Sequence, residues 1–399
     1  MKKLFLSLAL LCATILLNAQ TLPALWVVQE GETAYKANIA GDGLISRLGN
    51  SDYELSFPAA NLKKGTLLEA DFSFRADSKD APRHYILEQL SKGAWLPVDT
   101  FKVTMERPAN GEFATSLHTF RLPAKAKGLT LRLRALEPAA QPVTLAHQTN
   151  VGAYVNELGK IQPKDTLRVL CIGNSFTYVF QAPYMLKQLA ISQGHFIDMH
   201  ATLRGGYNFG DHLHMQGTDE AIREGHYDFV FLQNQSQTNA WYAQDSVKNR
   251  QTLADAEELV RRIRTYSPNA RIIIESTWSY PGGNCGGFGS LETYDDFMEQ
   301  GSRLIAERVG GQVSYINRAF IQARALYPEL EIYGGDAKHQ SAYGSYLKSC
   351  INYSVLFGEP FPVAPRKLRG NKANPDLWFD HSVALKLRHA AASAFIPQK

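Results

Sequence analysis

A serine, an aspartate and a histidine in this sequence have the surroundings that acyl transfer needs. Ser175 stands in residues 167–178, LRVLCIGNSFTY, where an apolar run with β-branched Val169 and Ile172 breaks at Gly173 and Asn174. Such a run reads as a buried strand of a parallel sheet. A serine at the C-terminal end of that strand, facing a helix N-terminus, stands where open α/β sheets bind ligands. The same position also suits a helix N-cap, which does no chemistry. Asp336 and His339 lie in residues 333–346, YGGDAKHQSAYGSY, just before an apolar helical pattern (Tyr343, Leu347, Cys350, Ile351, Ser354). Their i, i+3 spacing lets the carboxylate reach imidazole Nδ1 while Nε2 points toward a nucleophile, the orienter–base relation of a serine hydrolase. Taken alone, that pair is better accounted for by a capping aspartate and a surface histidine. Together with the serine the pattern is far more specific.

Those residues need a frame, and the second half of the chain has the texture to supply one. Strand patterns at 168–172, 196–201, 228–233, 271–276 and 313–316 alternate with helical ones, as in a parallel sheet with crossover helices on both faces. Between the third and fourth, Leu253, Ala256, Leu259, Val260 and Ile263 fall on one helical face, with Glu257, Arg261 and Arg264 outward, until Pro268-Asn269 ends the helix. The expected fold of residues 161–399 is therefore a three-layer α/β/α domain. A glycine-rich loop, PGGNCGGFGS at 281–290, follows the fourth strand on the edge of Ser175. It has neither phosphate-loop spacing nor a lysine, so nucleotide binding is not expected.

Residues 20–160 read differently. LTLRLR at 129–134 alternates strictly, 68–74 does so similarly, and 84–89, 95–103 and 113–122 are further short strand patterns separated by Gly, Asp, Asn and Pro. That is the pattern of an all-β sandwich or jelly-roll domain. Trp26, Trp95 and Tyr85 could present rings to sugar, and they fit a core equally well.

The N-terminus adds a compartment. Lys2 and Lys3, an apolar run over 4–17 and Ala19 before Gln20 make residues 1–19 a cleavable signal peptide, with Cys12 too deep in the run for a lipoprotein signal. No later segment reaches the ~20 apolar residues of a spanning helix. A secreted or periplasmic protein without membrane insertion is expected after cleavage. The net charge of +4 over 399 residues, with no dense basic run, argues against a nucleic-acid partner. Cys171, Cys285 and Cys350 remain in the mature chain and allow at most one disulfide. No metal cluster is evident, the nearest being Asp211, His212 and His214, and no cofactor is expected.

IGNSFT near the start of the α/β part and DAKH near its end resemble the SGNH (GDSL-like) hydrolase superfamily over about residues 164–360. The resemblance implies a flavodoxin-like SGNH fold with a mostly parallel sheet and Ser175, Asp336 and His339 as the catalytic set. It implies an oxyanion hole from a second-block glycine and a third-block asparagine. Gly205 and Gly206 in LRGGYNF both qualify; Gly206 is preferred because Asn208 then stands where a small polar residue is usual. Asn234 in VFLQNQS is the third-block candidate, with Gln233 and Gln235 as neighbouring amides that could take its role or touch substrate. The first block reads GNSFT rather than GDS, and the third lacks a glycine two residues before Asn234. The pattern is closer to an exported subgroup in which a histidine, here His212, follows the second-block glycines, and His212 is expected to touch substrate. The expected activity is removal of acyl groups, acetyl above all, from carbohydrate or another small ester. The alternatives are a lipase- or thioesterase-like hydrolase and a glycan-binding protein with a decayed site. The amides and Trp241 of the third-block loop suit sugar better than an acyl groove.

Overall fold

The computed structural model describes residues 166–364 and 380–395 throughout. Between 26 and 159 it describes strands β1 to β11 with the turns at 92–93 and 136, and side chains only within 84–100 and at 136. The expected signal peptide, the rings of Trp26 and Tyr85, and the expected domain boundary at 160–165 lie outside the described residues.

Five strands form a continuous parallel sheet: β12 (Leu167–Gly173), β13 (Ile197–Leu203), β14 (Phe229–Leu232), β15 (Arg271–Ser276) and β16 (Gln312–Tyr315). They lie in the order β13-β12-β14-β15-β16, the doubly wound order in which the first strand is flanked by the second and third. The carboxyl end of β12 is thus the topological switch point, and Ser175 follows it by two residues.

Burial on both faces explains why the strands are apolar without a break. Val169, Cys171, Phe229, Phe231 and Ile273 pack into one core with Met185 and Leu189 of the helix Ala182–Ser192 and Leu347 and Ile351 of Ala342–Phe357. Leu170, Ile172, Val230, Leu232, Ile272 and Ile274 face the other core with Ala256, Leu259, Val260 and Ile263 of Arg250–Tyr266. Alternate residues of each strand therefore serve opposite layers. The α/β class expected for this part is what the chain adopts. Strand ends differ from the expected ones by a residue or two because the hydrogen-bond ladder, rather than composition, ends a strand. Asp228, for example, sits outside β14 and accepts Arg168 N–H through its side chain at 2.7 Å.

The preceding strands are β1 (Trp26–Glu30), β2 (Thr33–Ala37), β3 (Arg47–Leu48), β4 (Tyr53–Phe57), β5 (Leu67–Ala76), β6 (His84–Ser91), β7 (Ala94–Lys102), β8 (Thr115–Pro123), β9 (Leu129–Ala135), β10 (Val143–Thr144) and β11 (Ala153–Gly159). All their mutual pairings are antiparallel. They make a six-stranded sheet, β2-β1-β4-β9-β6-β7, and a second set in which β5 pairs with β8, β10 and β11. One bridge, Thr115 with Leu203, sets β8 antiparallel beside β13. Trp95 is half-buried, and Leu96 beside it is exposed. No helix among the described residues is long and apolar enough to cross a membrane.

Candidate active site

The turn after β12 exposes one hydroxyl. Asn174, in extended conformation, is the N-cap of the short helix Ser175–Tyr178, and its side-chain oxygen accepts Phe176 N–H at 3.1 Å. Ser175 is therefore the first helical residue and not the cap, which leaves its Oγ free for another partner. That partner is His339: Nε2 lies 2.8 Å from Ser175 Oγ, across 164 residues of chain. His339 Nδ1 lies 2.5 Å from Asp336 Oδ2. The other Asp336 oxygen accepts Lys338 N–H at 3.1 Å and His339 N–H at 2.9 Å, fixing the carboxylate's rotamer. Partial burial works against the Asp336 charge, but the hydrogen bonds from His339 and Lys338 prevail and hold its pKa below the ordinary 3.8. The carboxylate stays half exposed, with 50% of its side-chain surface open.

The loop that carries Asp336 and His339 is tied down from several sides. Ala337 takes a left-handed φ of +53, an unusual conformation for a residue with a Cβ. Its N–H donates to Gly334 O at 2.9 Å and its carbonyl accepts Gly282 N–H at 3.0 Å. The glycine-rich loop is thus a buttress of the histidine loop. On its other side Gly286 O accepts Gln237 Nε2 at 2.7 Å, so the loop reaches from the histidine loop to the segment after β14. Trp278 Nε1 donates to Lys338 O at 3.1 Å, and the Trp278 ring stacks on Phe176 at 4.4 Å. The Phe176 and His339 rings meet in a T-shaped contact with centroids 5.3 Å apart. Gln340, fully buried, donates to Phe176 O at 3.2 Å and Val179 O at 3.0 Å.

The residues expected to donate to an oxyanion lie on three loops. The Ser175 N–H belongs to the first helical residue, where no intrahelical acceptor is available. Gly205 is buried, whereas Gly206 is exposed, has φ +74, and would carry a Cβ into open space. Gly206 is accordingly the more accessible of the two. Asn208 caps the helix Phe209–Leu213 in a reciprocal box with Asp211. Asn234 is buried at the end of β14, where its Oδ1 accepts Phe209 N–H at 3.1 Å and Gln235 N–H at 3.0 Å. Two backbone donors assign the oxygen side of this amide. One Nδ2 hydrogen goes to Asn239 Oδ1 at 3.0 Å, and a primary amide carries a second.

Two expected substrate contacts are corrected. His212 is 1% exposed, with Nε2 3.0 Å from Gly173 O and Nδ1 2.9 Å from the Thr218 hydroxyl. Burial pushes its pKa down to about 4, against the opposing pull of the Gly173 bond and helped by nearby Arg204. A neutral ring that donates to Gly173 O and accepts from Thr218 fits both contacts. Since the ring is buried and both nitrogens are engaged beneath the Ser175 turn, His212 braces β12 and does not face substrate. Gln233 is equally buried, its Oε1 accepting Asn174 N–H at 2.9 Å and the Thr177 hydroxyl at 3.0 Å, and its Nε2 donating to Asn234 O. Only 1% exposed, it braces the turn from within and does not face substrate. Gln235 is partly exposed, but its amide serves its own turn through Ser236, Gln237 and Thr238. Asp211 and His214 are exposed and separate from buried His212. Among the described residues no group of three or more His, Cys, Asp or Glu could hold a metal ion. Cys171, Cys285 and Cys350 are free thiols, and burial pushes Cys171 and Cys350 up to about 12.

Sequence reasoning did not pick out Gln340, Trp278, Thr177, Glu275 or Lys348. A signal existed for two of them: Glu275 interrupts the apolar RIIIES and Lys348 lies within the apolar stripe of its helix. A charge inside such a run marks a buried pair, though nothing local names its partner.

No protein-family profile and no curated protein matches the chain. Among solved structures it is similar to a DUF4886 family protein from Bacteroides uniformis, with a TM-score of 0.48 and 19% identity over 58% of this chain and 95% of that one. It is also similar to Axe2, an acetylxylan esterase from Geobacillus stearothermophilus, with a TM-score of 0.37 and 18% identity over 51% of this chain and 98% of that one. At these levels the reading of the site rests on its own geometry.

Proposed function

We propose that this chain is a serine ester hydrolase of the SGNH type that removes acyl groups, chiefly acetyl, from carbohydrate. The observation that carries this reading is the unbroken line Ser175 Oγ, His339 Nε2, His339 Nδ1, Asp336 Oδ2, with links of 2.8 and 2.5 Å at the switch point of the sheet. In the reaction, Ser175 Oγ attacks the ester carbonyl while His339 Nε2 takes its proton. Asp336 holds the ring tautomer and stabilises the imidazolium. The N–H groups of Ser175 and Gly206, with the spare amide hydrogen of Asn234, receive the oxyanion. His339 then protonates the departing sugar oxygen, and a water activated by the same nitrogen releases the acyl group.

The carbohydrate part is supported by the signal-peptide pattern and by Trp241, which is exposed on the segment after β14. Export to the periplasm or the medium, and an accessory β-sandwich or jelly roll over residues 20–160, belong to this proposal. The test is hydrolysis of p-nitrophenyl acetate, followed by acetate release from a panel of acetylated polysaccharides. Ser175→Ala and His339→Ala should each abolish hydrolysis while leaving the fold intact, and Asp336→Asn should lose as much or less. Ser175→Ala activity within a few-fold of the parent would remove Ser175 as nucleophile. A parent protein that binds glycan but releases no acetate would favour the decayed-site alternative.

A further inference from the structure

The nucleophile turn rests on a charge pair sealed inside the domain. Lys348, in the helix Ala342–Phe357, and Glu275, in β15, form a salt bridge with both side chains 1% exposed. An ammonium has three hydrogens and can only donate. Here all three are placed: one on Glu275 Oε2, one on Phe176 O at 3.1 Å, and one on Thr177 Oγ1 at 3.0 Å. Below the pair, Glu275 Oε1 accepts Asn352 Nδ2 at 2.8 Å, and Asn352 Oδ1 accepts the Ser314 hydroxyl at 2.6 Å.

The ammonium and the Asn174 N–H together fix the directions of the bonds above the pair. Because Lys348 donates, Thr177 Oγ1 must accept, and its own hydrogen then goes to Gln233 Oε1 at 3.0 Å. That oxygen also accepts Asn174 N–H at 2.9 Å. With its oxygen committed there, Gln233 turns its Nε2 toward Asn234 O. Asn174 Nδ2 adds bonds to Tyr207 O at 2.8 Å and Asn234 O at 3.3 Å. The line from Lys348 therefore ends on the residue before the nucleophile and on the residue proposed to stabilise the oxyanion. Gly173 is small enough for this arrangement, since a Cβ there would lie 2.8 Å from Gln233 Oε1 and 2.9 Å from Thr177 Oγ1.

A well-packed apolar pair generally stabilises a core as well as or better than a buried ion pair does. Stability alone does not account for this one. We propose that Lys348 and Glu275 are positioning residues, whose charge polarises the Thr177–Gln233 relay and so sets Ser175 and Asn234 in register; this rests on the hydrolase reading above.

The experiment uses the full chain with p-nitrophenyl acetate and a fluorophosphonate that labels active serines. The variants are Lys348→Met, the double variant Lys348→Met with Glu275→Met, and Thr177→Val. Lys348→Met strands a buried carboxylate and should lower Tm by on the order of 10 °C. The double variant removes both charges and should recover most of that Tm. Its kcat and its rate of Ser175 labelling should nevertheless stay about 10–100-fold down with KM within a few-fold, the cost expected when reacting groups shift by a fraction of an ångström. Thr177→Val cuts the relay with the pair in place and should lower kcat about 10-fold, which decides the matter if the double variant does not fold. Parent-like kcat in the double variant, or in Thr177→Val, overturns the positioning role and leaves the hydrolase reading standing. A parent enzyme that neither hydrolyses the ester nor takes the label at Ser175 overturns both.

Discussion

Asn234 has two amide hydrogens, and Asn239 already holds one of them. If the other meets the oxyanion, its effect appears only in the transition state. Asn234→Ala should then lower kcat by ~10²-fold or more with little change in KM. A residue that merely caps the turn would cost ~1 kcal/mol of stability and leave kcat near the parent value. The same measurements on Gln233→Ala and Gln235→Ala locate the donor: Gln235→Ala should be nearly neutral, and Gln233→Ala should lower stability together with kcat. His212 makes a residue-scale effect readable by pH. Its folded pKa of about 4 lies below its ordinary 6.5, so the unfolded chain gains a proton that the folded chain refuses. The contribution to stability is complete above pH 6.5 and is lost as pH falls from there to about 4, a difference of about 3 kcal/mol. Chemical denaturation at pH 7.5, 5.5 and 4 should show this loss in the parent. His212→Gln should lack that part of the slope, and identical slopes in both proteins would refute the assignment.

Between elements, close approach does the positioning. Gly301 lies midway along the helix Leu291–Val309, where a Cβ would fall 1.8 Å from Asn239 O of the helix Thr238–Gln244. Alanine normally gains ~1 kcal/mol over glycine inside a helix. Here the clash wins, because the obstacle is backbone and cannot rotate aside. Gly301→Ala should lower stability by about 3 kcal/mol, and, as Asn239 moves off Asn234, kcat should fall as well. A thermally neutral Gly301→Ala would show that the two helices can separate without cost. The histidine loop shows the same logic, since Ala337 keeps its left-handed φ while Gly282 and Gly334 hold its carbonyl and N–H. Much of this scale was legible in the sequence. The stripe from Leu253 to Ile263 is encoded by spacing along one helix, and the helix buries Ala256, Leu259, Val260 and Ile263 as that spacing implies. Contacts such as Gly301 with Asn239 were not legible, because they depend on where two helices cross.

At the scale of the whole molecule, the reading of residues 20–160 as a separate accessory unit has a direct test. A chain beginning at residue 164 should be soluble and cleave p-nitrophenyl acetate like the full protein, while releasing less acetate from polymeric substrate. An insoluble or inactive fragment would mean that the β part completes the core, a possibility that the bridge between Thr115 and Leu203, next to Arg204 and the Gly205-Gly206 pair, makes concrete. The sequence by itself determined the alternation of strand and helix in residues 166–364, since periodicity and burial on both faces are written along each segment. It also placed a serine at the end of the first parallel strand and a D-x-x-H ahead of the Ala342–Phe357 helix. Only the tertiary structure decided which atoms meet. Ser175 and His339 are 164 residues apart, and Lys348 and Glu275 are 73 apart. Whether His212 and Gln233 face outward or the underside of the Ser175 turn depends on three loops converging from non-consecutive segments. A hydrogen bond is set by ångströms and angles in space, and no spacing along one segment carries that information.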